Sequence, residues 1–360
     1  MDQTVPAMDM PAPALSPQRA DLKPMPARSA PVFALLRSQL AGIGAYLPER
    51  IVTNDELAQR IDTSDAWIRE RTGIRQRHIA GPHETCTYMA TRAARQALDD
   101  AGATAEEVDA IILATATPDQ AFPSTAVRVQ AELGCGGFGF DLSAACSGFI
   151  YALSTADAMI RCGQVRGVLV IGAEVYSRIM NWQDRGTCVL FGDGAGAVFL
   201  RAAPRDLGAN GTPADRGILS THLHAQGTLG DILYVDGAVG RPDRPGHLVM
   251  QGREVFRHAV TRLSETVLES LASAGLDQSA VDWLVPHQAN LRIIDAIGRK
   301  LGLPPERVVV TVDRHANTSA ASIPLALADA YHDGRIQRGQ LVLMEALGGG
   351  LTWGSALVRL

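Results

Sequence analysis

Apolar residues recur at helical spacing from Glu84 to Asp100 and again from Val255 to Leu271. Each stretch ends in Ala-Gly (Ala101-Gly102 and Ala274-Gly275), a helix stop. Five residues later each resumes with Val-Asp and a short apolar run, Ala110–Ala114 in one case and Trp283–Val285 in the other. Runs this short and this continuous predict buried strands. The two passages lie 173 residues apart. Further on, Arg166-Gly167-Val168-Leu169-Val170 answers Arg338-Gly339-Gln340-Leu341-Val342 at an offset of 172. Gly194–Leu200 answers Gly354–Leu360 at an offset of 160, so the first copy carries extra loop. Three ordered matches predict a duplicated α/β unit, with helices on the faces of its sheets. The halves are expected at 37–205 and 206–360.

Residues 1–36 break the pattern. Seven of the chain's 19 prolines fall in the first 31 positions, among alanines and without an apolar period, which predicts a disordered extension. It has no apolar core for a secretion signal, and Asp2, Asp9 and Asp21 count against a transit peptide, so a cytoplasmic address is expected. No apolar run approaches the roughly 18 residues of a membrane span. The formal charge of −5 disfavours nucleic acid as the main partner, while leaving room for a local basic patch. Five cysteines, an odd number without a C-x-x-C pair, fit a reducing compartment better than a disulfide framework. His222 and His224 are read as alternation on a strand rather than as zinc ligands, and no metal is expected. Gly192-Asp-Gly-Ala-Gly196 looks like a phosphate loop, but it leads into the strand-like Ala197–Leu200 where a dinucleotide site requires a helix.

Three residues carry candidate chemistry: Cys146 in Ala-Ala-Cys-Ser-Gly-Phe, His287 in Val-Pro-His-Gln-Ala-Asn, and Asn317 in Arg-His-Ala-Asn-Thr-Ser. Each stands where a predicted strand gives way to a helix or turn. Ser147 to Arg161 reads as a helix, which places Cys146 at its N-terminus. There the free N–H groups and the macrodipole are expected to lower the thiol pKa. Adding the repeat offset to Cys146 reaches Ser319, two residues past Asn317, so the two halves present these positions from matching strand ends and helix starts. Cysteine is most often a small buried hydrophobe, the expectation kept for Cys86, Cys135, Cys162 and Cys188.

From about Leu40 onward the chain resembles the ketoacyl-acyl carrier protein synthase III family of the thiolase superfamily. The motifs that carry the resemblance are Asp62–Ile68, Arg71–Arg75, Ala121-Phe-Pro-Ser124, Phe191–Gly196, Val285–Arg292 and Glu345–Gly350. The resemblance implies a duplicated five-layer αβαβα fold and a homodimer. It implies decarboxylative condensation of an acyl-CoA primer with malonyl-acyl carrier protein, with acyl-CoA as substrate and no permanently bound cofactor. It makes Cys146 the acylated nucleophile, His287 and Asn317 the decarboxylation pair, and the N–H groups of Cys146 and Gly349 the oxyanion hole. Trp67, Arg71, Arg185 and Asn290 match CoA-binding positions. Phe122 and Leu347 match the acyl pocket, Phe122 reaching across the dimer. Arg257, Gln288, Arg292, Arg299 and Lys300 match the docking site for the acidic carrier protein.

Two positions depart from the family pattern: Leu347 replaces a usual Phe, and Ala316 replaces a usual Gly before Asn317. Both bear on substrate choice more than on reaction type. Other readings are a related ketosynthase or acyltransferase of secondary metabolism, and a Cys-His-Asn hydrolase. The hydrolase would carry Cys-Gly-Ser-Cys-Trp near its start, which this chain lacks.

Overall fold

The structure is a computed structural model, and it describes residues 36–205, 216–237 and 241–360. Ala34–Leu360 forms one compact unit. The extension expected over residues 1–36 lies outside the described residues except for Leu36, which opens the first strand.

The first sheet contains β1 (Leu36–Tyr46), β2 (Ala110–Ala114), β3 (Phe138–Leu142), β4 (Gly167–Val175) and β5 (Asp193–Pro204), in the order β1-β5-β4-β2-β3. The second contains β6 (Gly217–Ala225), β7 (Trp283–Pro286), β8 (Leu341–Gly348) and β9 (Thr352–Arg359), in the order β6-β9-β8-β7. In each sheet the first two pairings are antiparallel and the next is parallel. A parallel bridge between Leu284 and Val308 stands where β3 stands in the first sheet.

Seven helices matter here: α1 (Asp65–Thr72), α2 (Cys86–Asp100), α3 (Thr125–Leu133), α4 (Gly148–Arg161), α5 (Gly252–Ser273), α6 (Leu291–Lys300) and α7 (Ser322–His332). The period-two alternation of β4 divides its side chains between two cores. Val168 and Val170 face inward, and Leu169, Ile171 and Ala173 face α2. β8 does the same, with Val342, Met344 and Ala346 inward and Leu341, Leu343 and Leu347 toward α5 and α6. The shared inner core holds Phe149, Ile150 and Leu153 of α4 together with Ile323, Ala326 and Leu327 of α7. Helix, sheet, paired helices, sheet and helix give the five-layer αβαβα architecture of the thiolase fold.

Local chemistry explains the boundaries. The helix expected from Glu84 starts at Cys86, because Thr85 caps it by accepting from Tyr88 N, while Glu84 takes a hydrogen bond from Gly81 N. Both Ala-Gly stops are realised, with Gly102 at φ 57° and Gly275 at φ 66°. Asp193 opens β5 and accepts from Ala80 N and Ser177, so Asp193–Gly196 is strand, as its sequence context predicts. His222 and His224 lie on one face of β6, and both meet Glu269. All five cysteines are free.

Gly172 of β4 sets how closely the layers approach. A Cβ there would stand 2.2 Å from Ala320 O, backbone that has nowhere to retreat. The chain after Asn317 therefore rests directly on the first sheet.

Candidate active site

Cys146, His287 and Asn317 line one cavity of about 1160 Å³. Its walls also include Trp67, Arg71, Tyr176, Asn290, Leu347 and Gly349. Cys146 follows β3 in a single 3₁₀ turn, Ala145–Ser147, that leads into α4. Ala145 reaches φ 45°, and Ser147 Oγ lies 2.8 Å from both Ala144 O and Thr352 Oγ1. That pair pins the Cys146 turn to β9. A Cβ on Gly348 would lie 2.5 Å from Cys146 N, so only glycine lets β8 close against the turn.

His287 follows β7 directly, and its N–H donates to Glu345 O at 2.8 Å. Its Nδ1 lies 2.6 Å from Ser322 Oγ, and that oxygen also accepts from Gln288 N at 3.3 Å. The serine oxygen takes the Gln288 N–H, and its own proton is free to point to Nδ1. Nδ1 is then the acceptor, and Nε2 carries the ring proton. Burial holds the imidazole pKa down to about 3, so the ring is a neutral donor.

Asn317 is fastened at both backbone ends: its N–H donates to Leu190 O at 2.9 Å and its carbonyl accepts from Gly192 N at 3.0 Å. Its Oδ1 accepts from Ser319 N at 2.9 Å, which leaves Nδ2 to the cavity as a donor. Nothing ties Asn317 to the histidine. A hydrolase of the Cys-His-Asn type would use its Asn to orient its His, and here Ser322 fills that place.

The expected lowering of the Cys146 pKa is not what this geometry gives. Burial pushes the thiol up to about 12, with Ser319 lowering it and Glu174 raising it. The helix start is present, but removal from water outweighs it. Gln288 likewise cannot dock a partner. It is 1% exposed; its amide donates to Pro286 O and Val309 O and accepts from Thr311 N and Val312 N. It is an internal brace below the cavity.

The remaining expected residues divide by place. Trp67 and Arg71 sit on α1, whose cap Ser64 accepts from Trp67 N. The guanidinium carbons of Arg71 and Arg185 lie 4.6 and 4.9 Å from the Trp67 ring centre, and Arg185 also donates to Asp62 O. Asn290 caps α6, and Leu347 lines the cavity. Arg257, Arg292, Arg299 and Lys300 are exposed on α5 and α6, with Arg257 paired to Glu254. Phe122 is 85% exposed and stands outside the cavity wall of this chain. Ala316 takes φ 56° and ψ −161°, a conformation that glycine adopts without strain.

Sequence reading missed part of the wall, notably Tyr176, Tyr234, Met250, Arg253 and Phe256. Their spacing marks them only as core or loop. It also missed two buried acids. Burial raises Glu174 to about 7 and Glu345 to about 8, and neither Glu345 oxygen has a hydrogen-bond partner.

Residues 140–227 match the family described as 3-Oxoacyl-[acyl-carrier-protein (ACP)] synthase III, and residues 271–360 match its C-terminal part. Beta-ketoacyl-[acyl-carrier-protein] synthase III of Acidiphilium cryptum is 69% identical over 324 residues, covering 90% of this chain and 99% of that protein. The protein of that name from Granulibacter bethesdensis is 66% identical over 325 residues, again 90% and 99%. The crystal structure of 3-oxoacyl-[acyl-carrier-protein] synthase III from Aquifex aeolicus superposes with TM-score 0.83 at 49% identity, covering 90% of this chain and all of that one. The priming beta-ketosynthase of the R1128 polyketide pathway gives 0.84 at 37% identity, covering 92% and 98%. The chain belongs to the 3-oxoacyl-[acyl-carrier-protein] synthase III family of acyltransferases.

The tautomer of His287 is open to direct measurement. With ¹⁵N-labelled histidine, its ring should report a neutral imidazole with the proton on Nε2 from about pH 5 to 9, because its pKa lies well below that window. Ser322→Ala should lose that tautomer preference. A ring protonated near pH 6 would contradict the assignment.

Proposed function

We propose that this synthase III family member joins a short acyl-CoA primer to malonyl-acyl carrier protein and so starts a fatty acyl chain. The observation that carries the reading is that His287 and Asn317 line the cavity that Cys146 shares while Nδ1 and Oδ1 are engaged elsewhere, which leaves Nε2 and Nδ2 as the donors. In the first half-reaction Cys146 Sγ bonds to the acyl carbon and the CoA thiolate leaves. The N–H groups of Cys146 and Gly349 hold the carbonyl oxygen meanwhile. In the second, the malonyl carbon–carboxylate bond breaks, CO2 departs, and the electron pair moves onto the thioester oxygen as an enolate. The two donors meet that charge, each worth ~3–4 kcal/mol in the barrier. The carbanion then attacks the acyl carbon and expels Cys146. No step asks either donor to act as a base, which suits an imidazole that burial keeps neutral.

Trp67, Arg71 and Arg185 form the nucleotide end of the CoA site, where guanidinium groups suit phosphate and the indole suits adenine. Asn290 lies further in, by the pantetheine arm. Arg257, Arg292, Arg299 and Lys300 receive the acidic carrier protein, and Arg292 stands at the cavity wall itself. The working unit is a homodimer in the cytoplasm without a resident cofactor, and Phe122 supplies the far end of the partner's acyl pocket. Its exposure in a single chain is what such a role requires.

Three measurements test this reading. His287→Ala and Asn317→Ala should still take an acyl group from acyl-CoA onto Cys146, read by intact mass, yet lose condensation by about 10²–10³-fold. Unimpaired condensation in Asn317→Ala would refute the donor assignment. Arg292→Glu should raise KM for malonyl-acyl carrier protein and flatten its salt dependence, with acyl transfer from CoA little changed. Equal loss in both half-reactions would exclude a docking role. Across acyl-CoAs from acetyl to dodecanoyl, short primers should react fastest, since each methylene forced into packed atoms costs ~1–3 kcal/mol. Phe122→Ala should extend the accepted length, and a wild-type preference for octanoyl or longer would remove Phe122 from the pocket.

A further inference from the structure

The wall behind the nucleophile holds an acid that the two half-reactions leave without a task. Glu174 is the penultimate residue of β4 and is fully buried. Its Oε2 accepts from Thr117 Oγ1 at 2.6 Å, Thr115 Oγ1 at 3.2 Å and Ala116 N at 3.0 Å. Its Oε1 accepts from Ser319 Oγ at 3.1 Å. Ser319 also lies close enough to Cys146 to lower its thiol pKa and stands 3.0 Å from Tyr176 Oη. The turn Ser319–Ala321 packs directly against the Ala145–Ser147 turn, so this hydroxyl stands between thiol and acid. Titratable groups facing Glu174 are the thiols of Cys146 and Cys86 and the Tyr176 phenol.

A thiol this deeply buried needs somewhere to send its proton, and the neutral His287 is already occupied at Nδ1. We propose that Glu174 takes the proton of Cys146 through the Ser319 hydroxyl, so that thiolate and neutral carboxyl form together inside the dry site. The Cys146 S–H bond breaks, Ser319 Oγ gains that proton, and the proton Ser319 held passes to Glu174 Oε1. One proton moves and no electrons change hands. When condensation expels Cys146 as thiolate, the same path run backwards restores the thiol. The departing CoA thiolate takes its proton from solvent, which balances the overall reaction. Charge is only redistributed, so the site never holds two buried anions. This rests on Cys146 being the nucleophile, and it makes Glu174 and Ser319 positioning and proton-holding residues.

Glu174 is raised to about 7 by burial, which places the expected break in a measurable range. The test is alkylation of the intact protein with iodoacetamide across pH, with the adduct mapped to Cys146 by peptide mass. If the pair shares one proton, the wild-type rate rises about tenfold per pH unit below about 7 and levels off above it. Glu174→Gln should abolish the break, leaving a rate that climbs steadily through that range. Ser319→Ala retains the Glu174 charge but removes the bridge, and it should abolish the break as well. Alanine is tolerated in that backbone: Ser319 sits at φ 49°, and Ala145 and Ala316 already occupy φ 45° and 56°. Thermal midpoints check that each variant is folded, and if Glu174→Gln is not, Ser319→Ala decides alone. A wild-type profile without a break near 7, or a break that survives in Ser319→Ala, overturns the proposal. A break at Cys146 in a protein that acyl-CoA leaves unmodified would instead defeat the nucleophile reading and spare the proton coupling.

Discussion

Backbone packed on backbone in the middle layer is what the remaining structure hangs from. At Gly172 the first sheet touches the chain at Ala320–Ala321, and at Gly348 the second sheet touches the Cys146 turn. Dense interiors transmit such contacts rigidly, because there is no free volume into which a displaced segment can relax. Two loops far apart in sequence are thereby held within hydrogen-bond reach. Ser319 meets Glu174 and Tyr176, Ser147 meets Thr352, and Asn317 is strung between Leu190 and Gly192. Each functional side chain inherits its direction from one of these anchors. The catalytic geometry is thus a consequence of how two sheets are allowed to approach.

Removal of water sets the electrostatics with equal force. The same burial raises the thiol, lowers the imidazole and raises both buried carboxyls. Every shift favours the neutral form, so the resting site carries little charge of its own. Fixed donors in such a place act on a developing oxyanion more strongly than they would in water, and they need not reorganise when the charge appears. A site that holds no more than one negative charge at a time has its fixed donors free to meet that charge wherever it develops. Positive charge is kept outside, on α1, α5 and α6.

Much of this was legible in the sequence, and the limits have a physical pattern. Periodicity located α2, α4, α5 and the strands β2, β4, β7 and β8, because alternation and helical spacing report which face of an element is buried. The dispersed trio converged because each member stood at the end of a recognisable element. What failed were inferences about the environment across layers. Position at a helix start argued for an acidic thiol at Cys146, but nothing in the local sequence disclosed how completely the turn is enclosed. Gln288 neighbours His287 in a surface-like motif, yet its side chain turns inward to brace Pro286, Val309 and Thr311. Glu174 and Ser319 lie 145 residues apart, and no spacing rule joins them.

The strained backbone around the site follows from the same anchors. Three non-glycine residues have positive φ among the described residues, Ala145, Ala316 and Ser319, and each lies within two residues of Cys146 or Asn317. Conformations of that kind cost of order 1–3 kcal/mol each and persist only where the surroundings over-determine them. For Ala316 the surroundings are the two backbone hydrogen bonds that hold Asn317 between Leu190 and Gly192. Releasing Ala316 to an ordinary conformation would rotate the next peptide, break those bonds and turn the amide away from the cavity. Glycine at this position would reach the same geometry more cheaply, but it would widen the choices of the unfolded chain. Alanine shifts part of that cost from unfolded entropy to native strain. Retaining it is possible because packing against the first sheet already leaves Asn317 no other place to go.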